Sequence, residues 1–151
     1  MSDDRTVRLH RVFRAPAERV WRAFVEPQAV ERWMAPYGFL AEVYEMDVRP
    51  GGTYRMSFTN FENGTVHAFG GVYLEVVPNE RLRQTDRFED SSLPGEIVMQ
   101  MTLREVASGT EMKIEQTGLP EAIPLDMCYL GWQESLEQLS RLVEHEIPQE
   151  P

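Results

Sequence analysis

The chain has 151 residues, of which 42% are hydrophobic and 26% are charged, and its formal net charge is −10. These totals are typical of one globular domain, and the negative charge argues against nucleic acid and anionic membrane surfaces as partners. The single cysteine, Cys128, excludes an intrachain disulfide, and three widely separated histidines with no paired cysteines argue against a metal site, so we expect no metal and no cofactor.

The first third of the chain predicts a strand followed by two short helices. Residues 6–14 alternate between apolar and polar side chains, which is typical of a strand. Pro16 and Glu18 then begin a helix that ends before Pro27. A second helix is predicted over residues 28–34.

The middle of the chain predicts six strands joined by short turns. Turn residues at Pro50-Gly51-Gly52, Glu62-Asn63-Gly64 and Ser108-Gly109 separate segments of period two. The glycine pair Gly70-Gly71 inside one segment predicts a bulge or a sharp bend. The predicted strands cover residues 39–48, 53–59, 66–77, 81–88, 96–106 and 110–117.

The last segment, residues 125–146, predicts one long helix whose two halves differ. Its apolar stripe has helical spacing and comprises Leu125, Tyr129, Trp132, Leu136, Leu139 and Val143. In the first half, Met127, Cys128 and Leu130 extend the apolar surface almost around the helix. That half either fills a solid core or covers a cavity.

This order of elements predicts an α+β fold in which a curved antiparallel sheet of about seven strands wraps around the C-terminal helix. Consecutive hairpins favour antiparallel pairing, and the last helix is the only large apolar element available to cover the sheet. We expect a single domain over residues 1–151, with an ordered core at about residues 5–147 and frayed ends at 1–4 and 148–151.

Five stretches resemble a known family. The order resembles the helix-grip fold of START-like (SRPBCC) and birch-pollen-allergen-like proteins, and within it the branch named after the C-terminal domain of the activator of the heat-shock-protein-90 ATPase. The stretches are FRAPAERVWRAF at 13–24, VERWM at 30–34, VRPGGTYR at 48–55, GVYLEVVPNERL at 71–82 and GWQESL at 131–136. The resemblance implies a deep cavity between sheet and helix, where relatives carry lipids, sterols, hormones or polyketides. It implies no catalytic signature.

Strand alternation predicts which side chains face this cavity. The methionines among them suit a tolerant apolar pocket, although methionine also fills irregular cores. Gln84, Asp86 and Gln116 favour a pocket, because a few polar groups in an apolar cleft orient a ligand. Trp33 and Trp132 are assigned either to ligand contact or to packing, and Cys128 to an inert apolar role. The predicted ligand-binding residues are Trp33, Tyr54, Met56, Phe58, Phe69, Gln84, Asp86, Met99, Met101, Gln116, Met127, Cys128 and Trp132.

Three functions remain open from the sequence. The first is binding of a small hydrophobic ligand that is lipid-like, aromatic or polyketide-like. The second is a polyketide cyclase or aromatase in which Asp86, as the one candidate catalytic residue, acts as a base. The third is a stress-related or chaperone-interaction module, although the chain lacks the additional N-terminal domain of the eukaryotic activator.

The sequence also bears on the cellular location and the oligomeric state of the protein. No signal-peptide segment begins the sequence and no apolar run is long enough to span a membrane, so we expect a cytoplasmic protein. Exposed strand edges of such a sheet allow a homodimer.

Overall fold

The computed structural model describes residues 5–145, which form one curved sheet and three helices. The elements are β1 (Thr6–Phe13), α1 (Ala17–Val25), α2 (Pro27–Trp33), β2 (Phe39–Met46), β3 (Thr53–Asn60), β4 (Val66–Val77), β5 (Arg81–Phe88), β6 (Ile97–Val106), β7 (Gly109–Thr117) and α3 (Leu125–Val143). The element order and the helix-grip fold predicted from the sequence are confirmed. The predicted frayed ends and the predicted helix end at Glu146 lie outside the described residues.

The seven strands form one antiparallel sheet in the order β1-β7-β6-β5-β4-β3-β2. Strands 2 to 7 follow one another as hairpins, and β1 pairs with β7, because the chain crosses from β1 to the far edge through α1 and α2. The two short helices therefore stand at one end of the curved sheet, beside the C-terminal half of α3.

Several boundaries differ from the sequence prediction by one or two residues, and two of them illustrate the local causes. Helix α2 begins at Pro27 rather than Gln28, because proline fits the first helical position, where its missing N–H is not needed. Strand β2 ends at Met46 rather than Val48, beyond a register shift between Val43 and Glu45.

The glycine pair in β4 provides close approach of the backbones rather than the bulge itself. A Cβ atom on Gly71 would lie 1.8 Å from the carbonyl oxygen of Thr85, and one on Gly70 would lie 2.4 Å from that of Tyr54. The register shift lies farther along the strand, between Tyr73 and Glu75. The glycines therefore let β4 pass close to both β3 and β5.

The core is concentrated at the end of the sheet that holds α1 and α2. Every fully buried residue of α3 lies in its second half: Ser135, Leu136, Leu139 and Val143. The first half packs mainly against a small cluster formed by Val7, Ile97 and Leu119, and from this half Trp132 also reaches the main core. The two halves of α3 therefore have different surroundings, as the sequence indicated.

The second half of α3 is fixed to the segment that follows α2. The Gln138 amide donates to the carbonyl oxygens of Trp33 and Ala35 at 2.9 and 2.7 Å, and the Ser135 hydroxyl donates to that of Met34 at 2.7 Å. These bonds satisfy carbonyl groups that α2 leaves open at its C-terminus.

Within residues 5–145 no helix combines the length and the apolar character that a membrane crossing requires.

Candidate functional site

A cavity of about 440 Å³ lies between the concave face of the sheet and the first half of α3. This volume falls in the range of small-molecule sites, and the lining is mostly apolar. The cavity exists because the buried apolar side chains of α3 begin only at Leu136, while the sheet continues beneath the earlier turns.

Most of the predicted ligand-binding residues line this cavity. They come from β3 to β7 and from the first half of α3, and they are Tyr54, Met56, Phe58, Phe69, Gln84, Asp86, Met99, Gln116, Met127, Cys128 and Trp132. Their contact with a ligand stays a prediction.

Trp33 and Met101 do not line the cavity. Trp33 is completely buried, meets the ring of Phe24 edge-on at 4.9 Å and donates its indole N–H to the Ala23 carbonyl oxygen at 2.8 Å. Met101 is also completely buried and pairs between Leu82 on β5 and Ile114 on β7. Both belong to the solid core. For Met101 the reason is that alternation predicts the face of a side chain but not where along the strand the core ends.

Several lining residues were missed by the sequence analysis. Phe88 follows Asp86 by two positions, so alternation could have found it, and Gly131 lies one turn after Met127 on α3. Ser135 lies one turn after Gly131 on α3, and Ile97 lies two positions before Met99 on β6. The other missed residues lie in loops or near strand ends, where periodicity gives little guidance. The missed residues are Met34, Pro36, Phe39, His67, Phe88, Leu93, Ile97, Leu119, Ile123, Gly131 and Ser135.

Asp86 is the centre of the polar group on the sheet side of the cavity. The Tyr54 hydroxyl donates to its Oδ1 atom, and the Gln84 amide donates to the same atom at 2.8 Å. The hydrogen bonds that Asp86 side-chain oxygens receive from residues 5–145 all end on Oδ1, so Oδ2 has no donor from this part of the chain. The side chain retains some accessible surface, and that surface faces the cavity.

Burial changes the acidity of this group. It raises the pKa of Asp86 to about 6, and the hydrogen bonds from Tyr54 and Gln84 act in the opposite direction by favouring the carboxylate. Burial, followed by the neighbouring Asp86 charge, raises the pKa of Tyr54, so this hydroxyl stays protonated and remains a donor. At neutral pH Asp86 is therefore mostly ionised inside an apolar cavity.

A second polar group lies across the cavity. The Trp132 indole N–H donates to Gln116 Oε1 at 2.8 Å, and no side chain or carbonyl group of residues 5–145 accepts from the Gln116 side-chain amide N–H groups, so they can donate to a ligand. Gln84 pairs with Met99, and Met99 pairs with Gln116, so the two glutamines stand two strand spacings apart, about 10 Å.

Aromatic rings surround the sheet side of the cavity. The Phe69 ring lies 5.0 Å from that of Phe58, 6.1 Å from that of Phe88 and 6.4 Å from that of Tyr54, measured between centroids. Phe39 and the exposed His67 stand at the mouth, with centroids 6.2 Å apart.

The remaining chemistry of the site is limited. Burial raises the pKa of the Cys128 thiol, which opposes the thiolate form that reacts. Among residues 5–145, no three His, Cys, Asp or Glu side chains come together in a way that holds a metal ion.

Comparison with known proteins places this architecture in a family. Residues 14–144 match the model of the family described as Activator of Hsp90 ATPase homolog 1-like protein. A crystal structure of a protein from Chromobacterium violaceum is 53% identical with a TM-score of 0.93, covering 94% of this chain and 99% of that one.

More distant structures share the same fold. A protein from Nitrosomonas europaea is 25% identical, with a TM-score of 0.78 and coverage of 91% and 93%. One from Rhodobacter sphaeroides is 22% identical, with a TM-score of 0.79 and coverage of 90% of each chain. No curated protein matches the chain significantly.

Proposed function

The chain belongs to the Activator of Hsp90 ATPase homolog 1-like family, and from that premise we propose that it binds a small, mainly apolar molecule in the cavity beneath α3. The single observation that supports this function is the cavity of about 440 Å³, lined by aromatic and sulfur-containing side chains with two separate polar groups.

The cavity has the composition that a binding site needs. Aromatic and methionine side chains provide apolar contact with some adaptability of shape, and each buried CH₂ group of a ligand contributes roughly 0.8 kcal/mol. The polar groups at Asp86 and Gln116 would orient the ligand, because a molecule that left them unpaired would lose affinity.

Binding is tested with the purified chain and the neutral fluorescent probe N-phenyl-1-naphthylamine, together with mass spectrometry of organic extracts from natively purified protein. We expect probe fluorescence to rise on binding and to fall when an extracted compound competes. The chain offers a blocking variant, Gly131→Leu, because a Cβ atom at Gly131 meets open space and a leucine there enters the cavity.

The matched control is Leu130→Ala on the same helix. Leu130 is exposed and lies outside the cavity lining. Loss of probe binding in Gly131→Leu with retention in Leu130→Ala supports the proposal. No probe binding by the unmodified chain, or equal binding by both variants, contradicts it.

Asp86 supports a second candidate, an enzyme that removes a proton from a bound carbonyl compound. Its pKa of about 6 suits a general base near neutral pH. Turnover of a polyketide-like substrate that Asp86→Asn abolishes, while binding persists, supports the enzyme. Turnover that survives this substitution contradicts the role of Asp86.

A further inference from the structure

The charge inside the cavity is unbalanced. Four titratable side chains line it within residues 5–145: Tyr54, His67, Asp86 and Cys128. Neither lysine nor arginine is among these lining residues, so the Asp86 carboxylate has no cationic partner in the described lining.

Arg5 does not supply the missing charge. It lies near enough to Cys128 to affect that thiol, but its guanidinium group donates to the carbonyl oxygens of Leu119, Pro120 and Ile123 and does not line the cavity. The Arg5 guanidinium group is therefore bonded to carbonyl groups just before α3 and does not pair with Asp86.

An ionised carboxylate in an apolar cavity is stabilised by hydrogen bonds, by a counter-charge or by both. Tyr54 and Gln84 provide two hydrogen bonds to Oδ1, and Oδ2 receives none from residues 5–145. The protein has already desolvated this carboxylate on folding, so a cationic ligand would gain its attraction without that part of the cost.

The aromatic rings favour the same kind of ligand. Phe58, Phe69 and Phe88 form a connected group on the cavity wall, with Tyr54 at its inner side. The faces of such rings attract an ammonium group that comes within about 6 Å. The net charge of −10 also raises the local concentration of organic cations.

We propose that the ligand is a lipophilic amine whose ammonium group pairs with the Asp86 carboxylate among these aromatic rings; this rests on the proposed function of the same cavity. A neutral alcohol would make one hydrogen bond to Oδ2 without compensating the charge. A carboxylic acid would place a second negative charge beside the first. Fatty acids and acyl phosphates are therefore poor ligands for this site.

The test uses three compounds that share one ring system: 1-naphthylmethylamine, 1-naphthylmethanol and 1-naphthoic acid. Each displaces N-phenyl-1-naphthylamine from the chain at pH 7.5. We expect the amine to bind about tenfold more tightly than the alcohol, since a charge-assisted hydrogen bond is about twice as strong as a neutral one and tenfold corresponds to about 1.4 kcal/mol. The acid should bind most weakly.

Two variants that each remove one negative charge test whether the preference for the amine depends on Asp86. Asp86→Asn should bring the amine to the affinity of the alcohol. Glu121→Gln removes one negative charge from an exposed residue outside the cavity lining and should keep the preference for the amine.

The ranking of the three compounds on the unmodified chain needs no variant and is itself decisive. Equal affinities, or a preference for the acid, with normal probe binding overturn the amine proposal and leave the proposed function standing. A preference for the amine that persists in Asp86→Asn also overturns it. Absence of probe binding by the unmodified chain overturns both.

Discussion

The indole N–H of Trp132 donates a 2.8 Å hydrogen bond to the side-chain oxygen of Gln116, and this contact joins α3 to β7 across the cavity. We expect Trp132→Phe to lower the free energy of unfolding by roughly 1–3 kcal/mol, because it leaves the Gln116 oxygen without its donor. Urea unfolding followed by circular dichroism measures the change. In a cycle with Gln116→Leu, the double variant should lose less than the sum of the single losses; additive losses would contradict the coupling.

Asp86 should make the stability of the protein depend on pH. Its pKa rises from an ordinary 3.8 to about 6 on folding, so the folded state binds the proton more tightly than the unfolded state. The protonated carboxyl therefore stabilises the folded state fully below about pH 4. As the pH rises through about 6 this stabilisation is lost, and the free energy of unfolding falls by on the order of 3 kcal/mol.

The measurement compares urea unfolding of the unmodified chain with that of Asp86→Asn between pH 4 and pH 7. Asp86→Asn cannot ionise at this position, so its stability relative to the unmodified chain should increase across this interval. A constant difference would show that the carboxyl has the same acidity in both states.

Tyr54→Phe should raise the pKa of Asp86 further. The Tyr54 hydroxyl favours the ionised carboxylate by donating to it, and phenylalanine keeps the ring while removing that donor. Titration of the carboxyl carbon by NMR measures the shift. An unchanged or lower pKa would contradict this assignment of the hydrogen bond.

Gly71→Ala should strongly destabilise the fold. The Cβ atom of alanine would overlap the backbone carbonyl oxygen of Thr85, and the sheet holds both β4 and β5 in place. We expect a loss of several kcal/mol, at or above the range of about 1–3 kcal/mol for overpacked sites. Gly131→Ala is the matched control: its Cβ atom meets open space, and alanine in a helix interior stabilises by up to about 1 kcal/mol over glycine. Similar melting temperatures for the two variants would contradict the steric argument.

Cys128 should report whether the cavity is occupied. It is the only cysteine, it lines the cavity and its thiol has a raised pKa. Iodoacetamide should therefore modify it more slowly than a thiol in the urea-unfolded chain, and N-phenyl-1-naphthylamine should slow the reaction further. Intact-mass measurement over time records both rates. Equal rates with and without the probe would place the bound probe away from Cys128.

Much of the fold could be predicted because its signals are local. Alternation placed Tyr54, Met56 and Phe58 on one face, and helical spacing identified the stripe of α3. Alternation could not predict where along a strand the packed core ends and the cavity begins. Met99 lines the cavity and Met101 lies in the packed core, although both are on the same face of β6. Only the packing of α1 and α2 over one end of the sheet distinguishes them.

The candidate site was predictable where it is built from regular elements. Asp86 was predicted to lie in the pocket together with Gln84, which is two positions away on β5, and the structure shows that Gln84 and Tyr54 both donate to it. Loop residues such as Leu93 and Ile123 have no period that reveals their direction. The role of Gly131 depends on empty space across from the helix, which no sequence pattern encodes.

The attachment of α3 through Ser135 and Gln138 depends on backbone carbonyl groups at residues 33–35 and not on the side chains there. Substitutions at Met34, which lines the cavity, therefore leave the acceptor atoms of this attachment in place. The cavity surface at position 34 can therefore change without removing this attachment, whereas a change at Ser135 would alter the cavity lining and the attachment together.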